Sequence, residues 1–253
     1  MSLLVKIGGS LLDSETERLR LAREIATLQL PQLVIVHGGG KQMTRFLAER
    51  GIESRFIGGL RVTTPEIIDA VLKVFGGSVN HQLVAALNAA DARAVGLSGL
   101  DAGLVHAEPL DPLLGLVGRP TRCDPTLLHS LLAAGFLPVV ACFAGDSQGR
   151  IYNVNADQMA VACAAALQAR WLIFLTDVEG VRGPSGLIEP RLTPAEARSL
   201  IDQGVATGGM QAKLEAALSG LNAGVENVVI APGALPGVLS SILAGQPCGT
   251  TIA

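Results

Sequence analysis

Short apolar runs alternate along this chain with longer segments whose apolar residues recur at helical spacing. Residues 3–7 are apolar apart from Lys6 and stop at Gly8-Gly9, the pattern of a buried strand. Ser14 is a candidate N-cap, with Glu15 and Glu17 in the first turn of a helix reaching about residue 28. A second strand over 33–36 ends at His37-Gly38-Gly39-Gly40, and a helix over about 41–50 follows. Strand, glycine turn and helix, repeated, predict a parallel sheet covered by helices, because parallel neighbours need a crossover connection. Such sheets carry ligands at the carboxyl ends of their strands, where both glycine turns fall.

Residues 55–62 read as a hairpin around Gly58-Gly59. Pro65 then opens a helical stretch that Gly76-Gly77 interrupts and that continues to about residue 90, before a strand over 94–97. Residues 104–106 and 116–118 suggest a smaller β excursion around the loop of Pro109 and Pro112. A helix from Asp124-Pro125 to Gly135, a strand over 138–143 and a tight turn at Asp146-Ser147-Gln148-Gly149 come next. The helix over about 156–168 is rich in alanine, so a neighbour can pack close against it. A strand over 171–175 ends at Thr176-Asp177, and a Gly/Pro-rich loop runs to Pro190. Helices start at Thr193-Pro194 and Met210, and the last strands cover 228–230 and 250–253. Without repeats or a flexible linker, two lobes of one continuous sheet are expected rather than tethered domains.

Composition narrows the function classes. Apolar residues make up 49% of the chain and aromatics 3%, so the core is aliphatic and no stacking platform for single-stranded nucleic acid is expected. The net charge of -3 comes without any basic run, which disfavours nucleic acid and anionic membranes as partners. The uncharged stretch over 125–145 is divided by Gly135 and Pro138, unlike a spanning helix. Asp13 and Glu15 arrive too early for a secretory leader, so a soluble cytoplasmic protein is expected. Cys123, Cys142, Cys163 and Cys248 lack paired or metal-like spacing and read as free thiols.

The P-loop pattern fails because Gly40-Lys41 is followed by Gln42, and the dinucleotide fingerprint fails because no third glycine follows His37-Gly38-Gly39-Gly40. An H-E-x-x-H zinc pair is also absent from the sequence. What remains is local. Glycine amides at a strand-to-helix turn can approach an anion closely, and the helix start adds partial positive charge. Lys6 either faces the crevice and meets an anion, or lies on an edge strand with its head in water. Asn155 or Asp157 caps the alanine-rich helix, or Asn153 binds substrate while Asp157 positions lysines. Lys213 is the only lysine after Lys73 and follows Gly208-Gly209-Met210 on a new helix; it is an ordinary surface lysine or part of the site.

VKIGGS at 5–10, VIVHGGG at 34–40, GLRVT at 59–63, YNVNAD at 152–157, TDVEGV at 176–181, GGMQAKL at 208–214 and GTTI at 249–252 follow one another in this order. In order and spacing the set resembles the amino-acid kinase family over essentially the whole chain, and within it the branch that phosphorylates N-acetyl-L-glutamate in arginine biosynthesis. That resemblance implies a three-layer α/β/α sandwich around a mainly parallel central sheet, with two lobes sharing it. Residues 1–170 would form the acceptor and dimerisation lobe, and 171–253 the nucleotide lobe. ATP would be the phosphoryl donor, with Mg2+ held mainly through phosphates and water. The resemblance further implies that Lys6 and Lys213 bridge the phosphoryl oxygens, with Asp157 holding both ammonium groups. Gly8 and Gly9 would donate to phosphate, and Gly38 and Gly39 near the attacking carboxylate. Arg61 and Asn153 would bind the acceptor. Thr176, Asp177, Val178, Gly180, Val181 and Arg182, with Thr207, Gly208 and Met210, would hold the nucleotide.

This chemistry suits the residues. A carboxylate attacking ATP brings two anions together, so the barrier is largely charge and alignment, and no general base is needed. One departure is Gly208, where the family commonly has an aspartate. Ser98-Gly99-Leu100-Asp101 resembles relatives that phosphorylate carrier-protein-linked aminoadipate or glutamate, which are kept as the alternative acceptors. A non-catalytic amino-acid sensor is the alternative of a different class. The chain begins directly at its first strand, from which the resemblance implies an arginine-insensitive homodimer.

Overall fold

The computed structural model describes residues 2–253. The first half runs β1 (Leu3–Ile7), α1 (Glu15–Leu28), β2 (Leu33–His37), α2 (Gly40–Ala48), the short hairpin β3 (Phe56–Ile57) and β4 (Leu60–Arg61), and α3 (Pro65–Val71). A π-helical stretch (Leu72–Val79) joins α3 to α4 (Asn80–Asn88), followed by β5 (Ala94–Ser98), β6 (Val105–Pro109), β7 (Val117–Cys123) and α5 (Thr126–Ala133). Next come β8 (Leu137–Ala141), β9 (Phe143–Gly145), β10 (Ile151–Val154), α6 (Ala156–Ala166) and β11 (Trp171–Thr176). The chain finishes with β12 (Arg191–Leu192), α7 (Pro194–Asp202), α8 (Gly208–Asn222), β13 (Asn227–Pro232), α9 (Val238–Leu243) and β14 (Thr250–Ile252).

The main sheet has eight strands in the order β12-β14-β13-β11-β1-β2-β8-β5. All its pairings are parallel except β13 with β14. β1 is therefore an interior strand, flanked by β11 and β2, and the strands of residues 171–253 meet those of 3–141 along it. The fully buried runs of β1, β2 and β8 are what a parallel sheet covered on both faces requires. β6, β7, β9 and β10 close into a small four-stranded barrel, which holds β10 beside the β3–β4 hairpin through the pairing of Thr63 with Gly115.

Several boundaries differ from the sequence reading. Gly76-Gly77 does not interrupt the helix; the helix widens there into π turns, and Phe143 lies so close that a Cβ on Gly76 would sit 3.0 Å from its ring. The expected strand over 138–143 is two strands, with Cys142 between them. β10, β12 and α9 were not anticipated, because two- to six-residue elements carry too little periodicity. The alanine-rich α6 does have a close neighbour, since α8 packs on it, with Gly220 near Val161. Cys142 and Cys163 are buried and all four thiols are free.

Candidate active site

Lys6 is 7% exposed on an interior strand, so the edge-strand alternative falls. Its ammonium meets Asp157 Oδ1 at 2.7 Å, as an ion pair rather than an aligned hydrogen bond. Lys213, in the second turn of α8, donates to Asp157 Oδ2 at 3.3 Å. Asp157 can serve both because it is not the helix cap: Asn155 Oδ1 accepts from the Asp157 and Gln158 amides at 2.8 and 3.3 Å. A carboxylate in the first turn also suits the positive end of α6. Burial alone would push the Asp157 carboxyl up, but the Lys6 and Lys213 charges outweigh it and hold it below the ordinary carboxylate range.

The two glycine turns touch. A Cβ on Gly9 would lie 2.9 Å from the Gly40 nitrogen, and one on Gly39 would lie 2.8 Å from the Phe75 ring. Their amides divide into two kinds. Gly8 N–H donates to Leu175 O at 2.9 Å and Gly38 N–H reaches Ile7 O at 3.5 Å, so both extend the sheet's ladder. Gly8 and Gly38, implied as anion donors, thus have their amides engaged within the chain here. Among the described residues, the amides of Gly9, Ser10, Gly39 and Gly40 have no acceptor and remain available.

Arg61 lies at the end of β4 and is 9% exposed. Its guanidinium donates to Ser54 Oγ, to Thr44 Oγ1 at 2.8 Å and, more loosely, to Gly40 O at 3.4 Å, and it stacks over Phe56 at 4.6 Å. All these partners are neutral, and among the described residues no carboxylate pairs with it. Burial lowers its pKa from the ordinary value. A half-desolvated guanidinium facing neutral oxygens suits an incoming carboxylate. Asn153 Nδ2 donates to Thr63 Oγ1 at 3.1 Å, and Thr63 Oγ1 donates to Arg61 O at 2.8 Å, so the two acceptor candidates share one hydrogen-bonded chain.

The nucleotide candidates are less closely gathered. Thr176 ends β11, is buried and donates to Asp177 Oδ1 at 3.2 Å, while Asp177 and Val178 stand exposed. Gly180 packs so that a Cβ would strike Thr250 Oγ1 at 2.8 Å, and the Val181 amide donates to that same oxygen. Arg182 is exposed and pairs with Glu179 at 3.0 Å. Thr207 and Gly208 are exposed and Met210 half-buried at the start of α8; no hydrogen bond joins them to the 176–182 loop. Gly208 adopts φ of 54°, a region that favours glycine and explains its tolerance here. A cavity of about 650 Å³ lies to one side, between β7, α6 and α8; it includes Asn155 but neither lysine nor Arg61.

Gln42, Thr44, Ser54, Thr63 and Asn80 belong to the site's frame and were not singled out from sequence. GLRVT held the signal for Thr63; the others are polar residues of ordinary helices and loops.

A sequence model of the amino acid kinase family matches residues 1–232. An acetylglutamate kinase from Solibacter usitatus (strain Ellin6076) is 64% identical over 99% of this chain and 98% of its own length. Among solved structures, an N-acetylglutamate synthase from Neisseria gonorrhoeae complexed with coenzyme A and N-acetyl-glutamate superposes with a TM-score of 0.88 at 28% identity. The match covers 100% of this chain, which spans only 59% of that protein's length. The smu.665 protein from Streptococcus mutans UA159 gives a TM-score of 0.84 at 29% identity, over 99% of this chain and 98% of that one. With an interior-strand lysine, two apposed glycine turns and a full-length relative of this kind, the chain belongs to the amino acid kinase family.

Proposed function

We propose that the protein transfers the terminal phosphoryl group of ATP to the side-chain carboxylate of N-acetyl-L-glutamate, as a step of arginine biosynthesis. The bond between the terminal phosphorus and the ADP oxygen breaks, a carboxylate oxygen bonds to that phosphorus, and ADP and an acyl phosphate leave. The observation that carries this reading is the buried Lys6–Asp157–Lys213 cluster, with contacts of 2.7 and 3.3 Å. One carboxylate holds two ammonium groups, leaving a net positive site for the phosphoryl oxygens. The free amides of Gly9, Ser10, Gly39 and Gly40 offer fixed donors that need no reorganisation during transfer. Arg61, lacking a carboxylate partner of its own, binds the acceptor's α-carboxylate, with Asn153 beside it.

Both Asp157 oxygens are occupied by lysines, and no group of three His, Cys, Asp or Glu side chains among the described residues could ligate a metal. The donor set thus fits Mg2+ carried on the nucleotide phosphates and water, where it would neutralise phosphate charge. The 176–182 loop and residues 207–210 hold the nucleotide in this reading, within the 171–253 lobe. Residues 1–170 supply acceptor binding and the contact of a cytoplasmic homodimer. No helix among the described residues is long and apolar enough to cross a membrane. The full-length relative favours free N-acetylglutamate over a carrier-linked acceptor. The lysine–aspartate cluster speaks against a sensor, which needs no phosphoryl bridge.

Hydroxylamine converts acyl phosphates to hydroxamates and gives the test. With MgATP and N-acetylglutamate the protein should accumulate hydroxamate in step with ADP. Hydroxamate formed only from a different acid would reject the acceptor assignment.

A further inference from the structure

The two glycine turns share one arrangement. At the first, Gln42 Nε2 donates to the Gly9 carbonyl at 3.0 Å, a shorter contact than the 3.3 Å of the Leu12 N–H to the same oxygen. At the second, His37 Nδ1 lies 3.0 Å from the Gly38 carbonyl. A carbonyl can only accept, so Nδ1 carries the ring hydrogen, and Nε2 accepts from Asn80 Nδ2 at 2.9 Å. Asn80 Nδ2 also donates to Val139 O at 3.0 Å, which anchors the imidazole to the sheet.

In a trans peptide the C=O and the next residue's N–H point in opposite directions. Pinning the Gly9 carbonyl therefore sets the direction of the Ser10 N–H, and pinning the Gly38 carbonyl sets that of the Gly39 N–H. Among the described residues, these two amides have no acceptor. Glycine peptides rotate easily, so an unpinned turn would spread its donors over many orientations. The π-helical stretch assists, placing Phe75 and Val79 against Gly39 and Asn80 against His37.

We propose that Gln42 and His37 are positioning residues, each fixing the carbonyl of one glycine peptide so that the Ser10 and Gly39 amides face the transferring phosphoryl group. Neither side chain touches a reacting atom. Burial keeps His37 neutral, with its pKa near 4, which preserves one donor and one acceptor nitrogen. The inference rests on the phosphoryl-transfer reading above.

The test compares two affinities by calorimetry: MgADP alone, and MgADP with aluminium fluoride and N-acetylglutamate, which mimics the phosphoryl group in flight. Gln42→Met removes the side-chain donor to the Gly9 carbonyl, leaving only the longer Leu12 N–H contact, and His37→Phe removes the donor to the Gly38 carbonyl. Both should bind MgADP as the parent does, yet bind the aluminium fluoride complex about tenfold or more weakly, with kcat falling in parallel. His37→Asn keeps an amide hydrogen close to the Nδ1 position and should recover much of the difference. If His37→Phe does not fold, Gln42→Met at the half-buried position on α2 carries the test. Gln42→Met matching the parent in both affinities would overturn the inference while leaving the function intact. If the parent itself forms no such complex, the functional reading fails and the inference falls with it.

Discussion

Lys6 Nζ stands 2.7 Å from Asp157 Oδ1, with the two side chains 9% and 8% exposed, at the carboxyl end of an interior strand. A buried lysine and a buried aspartate each carry a large desolvation penalty, which their pairing offsets. The second ammonium, from Lys213, leaves this cluster with more positive charge than the fold needs for its own neutrality. That excess is what a phosphoryl group meets.

Removing one member should separate chemistry from binding. Lys213→Met should lower turnover by on the order of 10² to 10³ while MgADP affinity stays within a few fold. Asp157→Asn leaves both ammonium groups without a counter-charge and should also destabilise the fold by about 3 kcal/mol. Steady-state kinetics and urea unfolding give the two readouts. Turnover unchanged in Lys213→Met would remove that lysine from the reaction.

Arg61 tests the acceptor side. Arg61→Lys keeps the charge but loses the planar fork that engages Thr44 and Ser54. Its kcat/KM for N-acetylglutamate should fall about 10²-fold with the KM for ATP little changed. Equal effects on both substrates would mean that Arg61 supports the hairpin rather than the acceptor.

The glycine turns differ in what a methyl group would meet. Gly9→Ala drives a Cβ to 2.9 Å from the Gly40 backbone nitrogen, which cannot rotate away, whereas Gly40→Ala meets nothing within 4 Å. Gly9→Ala should therefore cost about 1–3 kcal/mol and most of the activity, and Gly40→Ala should leave thermal unfolding near the parent's. A parent-like midpoint for Gly9→Ala would show that the two turns are not in contact in solution.

His37 supplies a pH signature. Burial lowers its pKa from 6.5 to about 4, so the unfolded chain takes up a proton before the folded one does. The stabilisation is complete above pH 6.5 and is lost as pH falls toward 4, on the order of 3 kcal/mol in all. Urea midpoints at pH 7 and 4.5 should diverge for the parent and much less for His37→Asn. Asp157, whose pKa is lowered, acts in a separate window below the ordinary carboxylate range, where acid removes its contribution. Identical slopes for parent and variant would assign the pH response to other groups.

Strand ends and glycine turns marked where a site would lie, while the roles of Lys6, Asp157 and Lys213 stayed open until the resemblance to the amino-acid kinase family implied them. The strand over 3–7, the turn at His37-Gly38-Gly39-Gly40 and the alanine-rich helix each break a periodic pattern, and the structure puts Lys6, Asp157 and Lys213 where those breaks converge. Which glycine amides are free was not legible. Whether Gly8 N–H faces a ligand or Leu175 O depends on how far the β1–β11 ladder continues, and pairing partners 168 residues apart leave no local mark. The roles of Gln42 and Asn80 were hidden for the same reason, since each acts on a peptide that only tertiary packing brings near.

The most direct measurement follows the phosphorus itself. Phosphorus-31 NMR of the protein with MgATP and N-acetylglutamate, without any trap, should show an acyl phosphate resonance growing with ADP, absent when N-acetylglutamate is left out and growing on the order of 10² to 10³ times more slowly with Lys213→Met. ADP accompanied only by inorganic phosphate from the outset, or no ADP at all, would contradict phosphoryl transfer to this carboxylate.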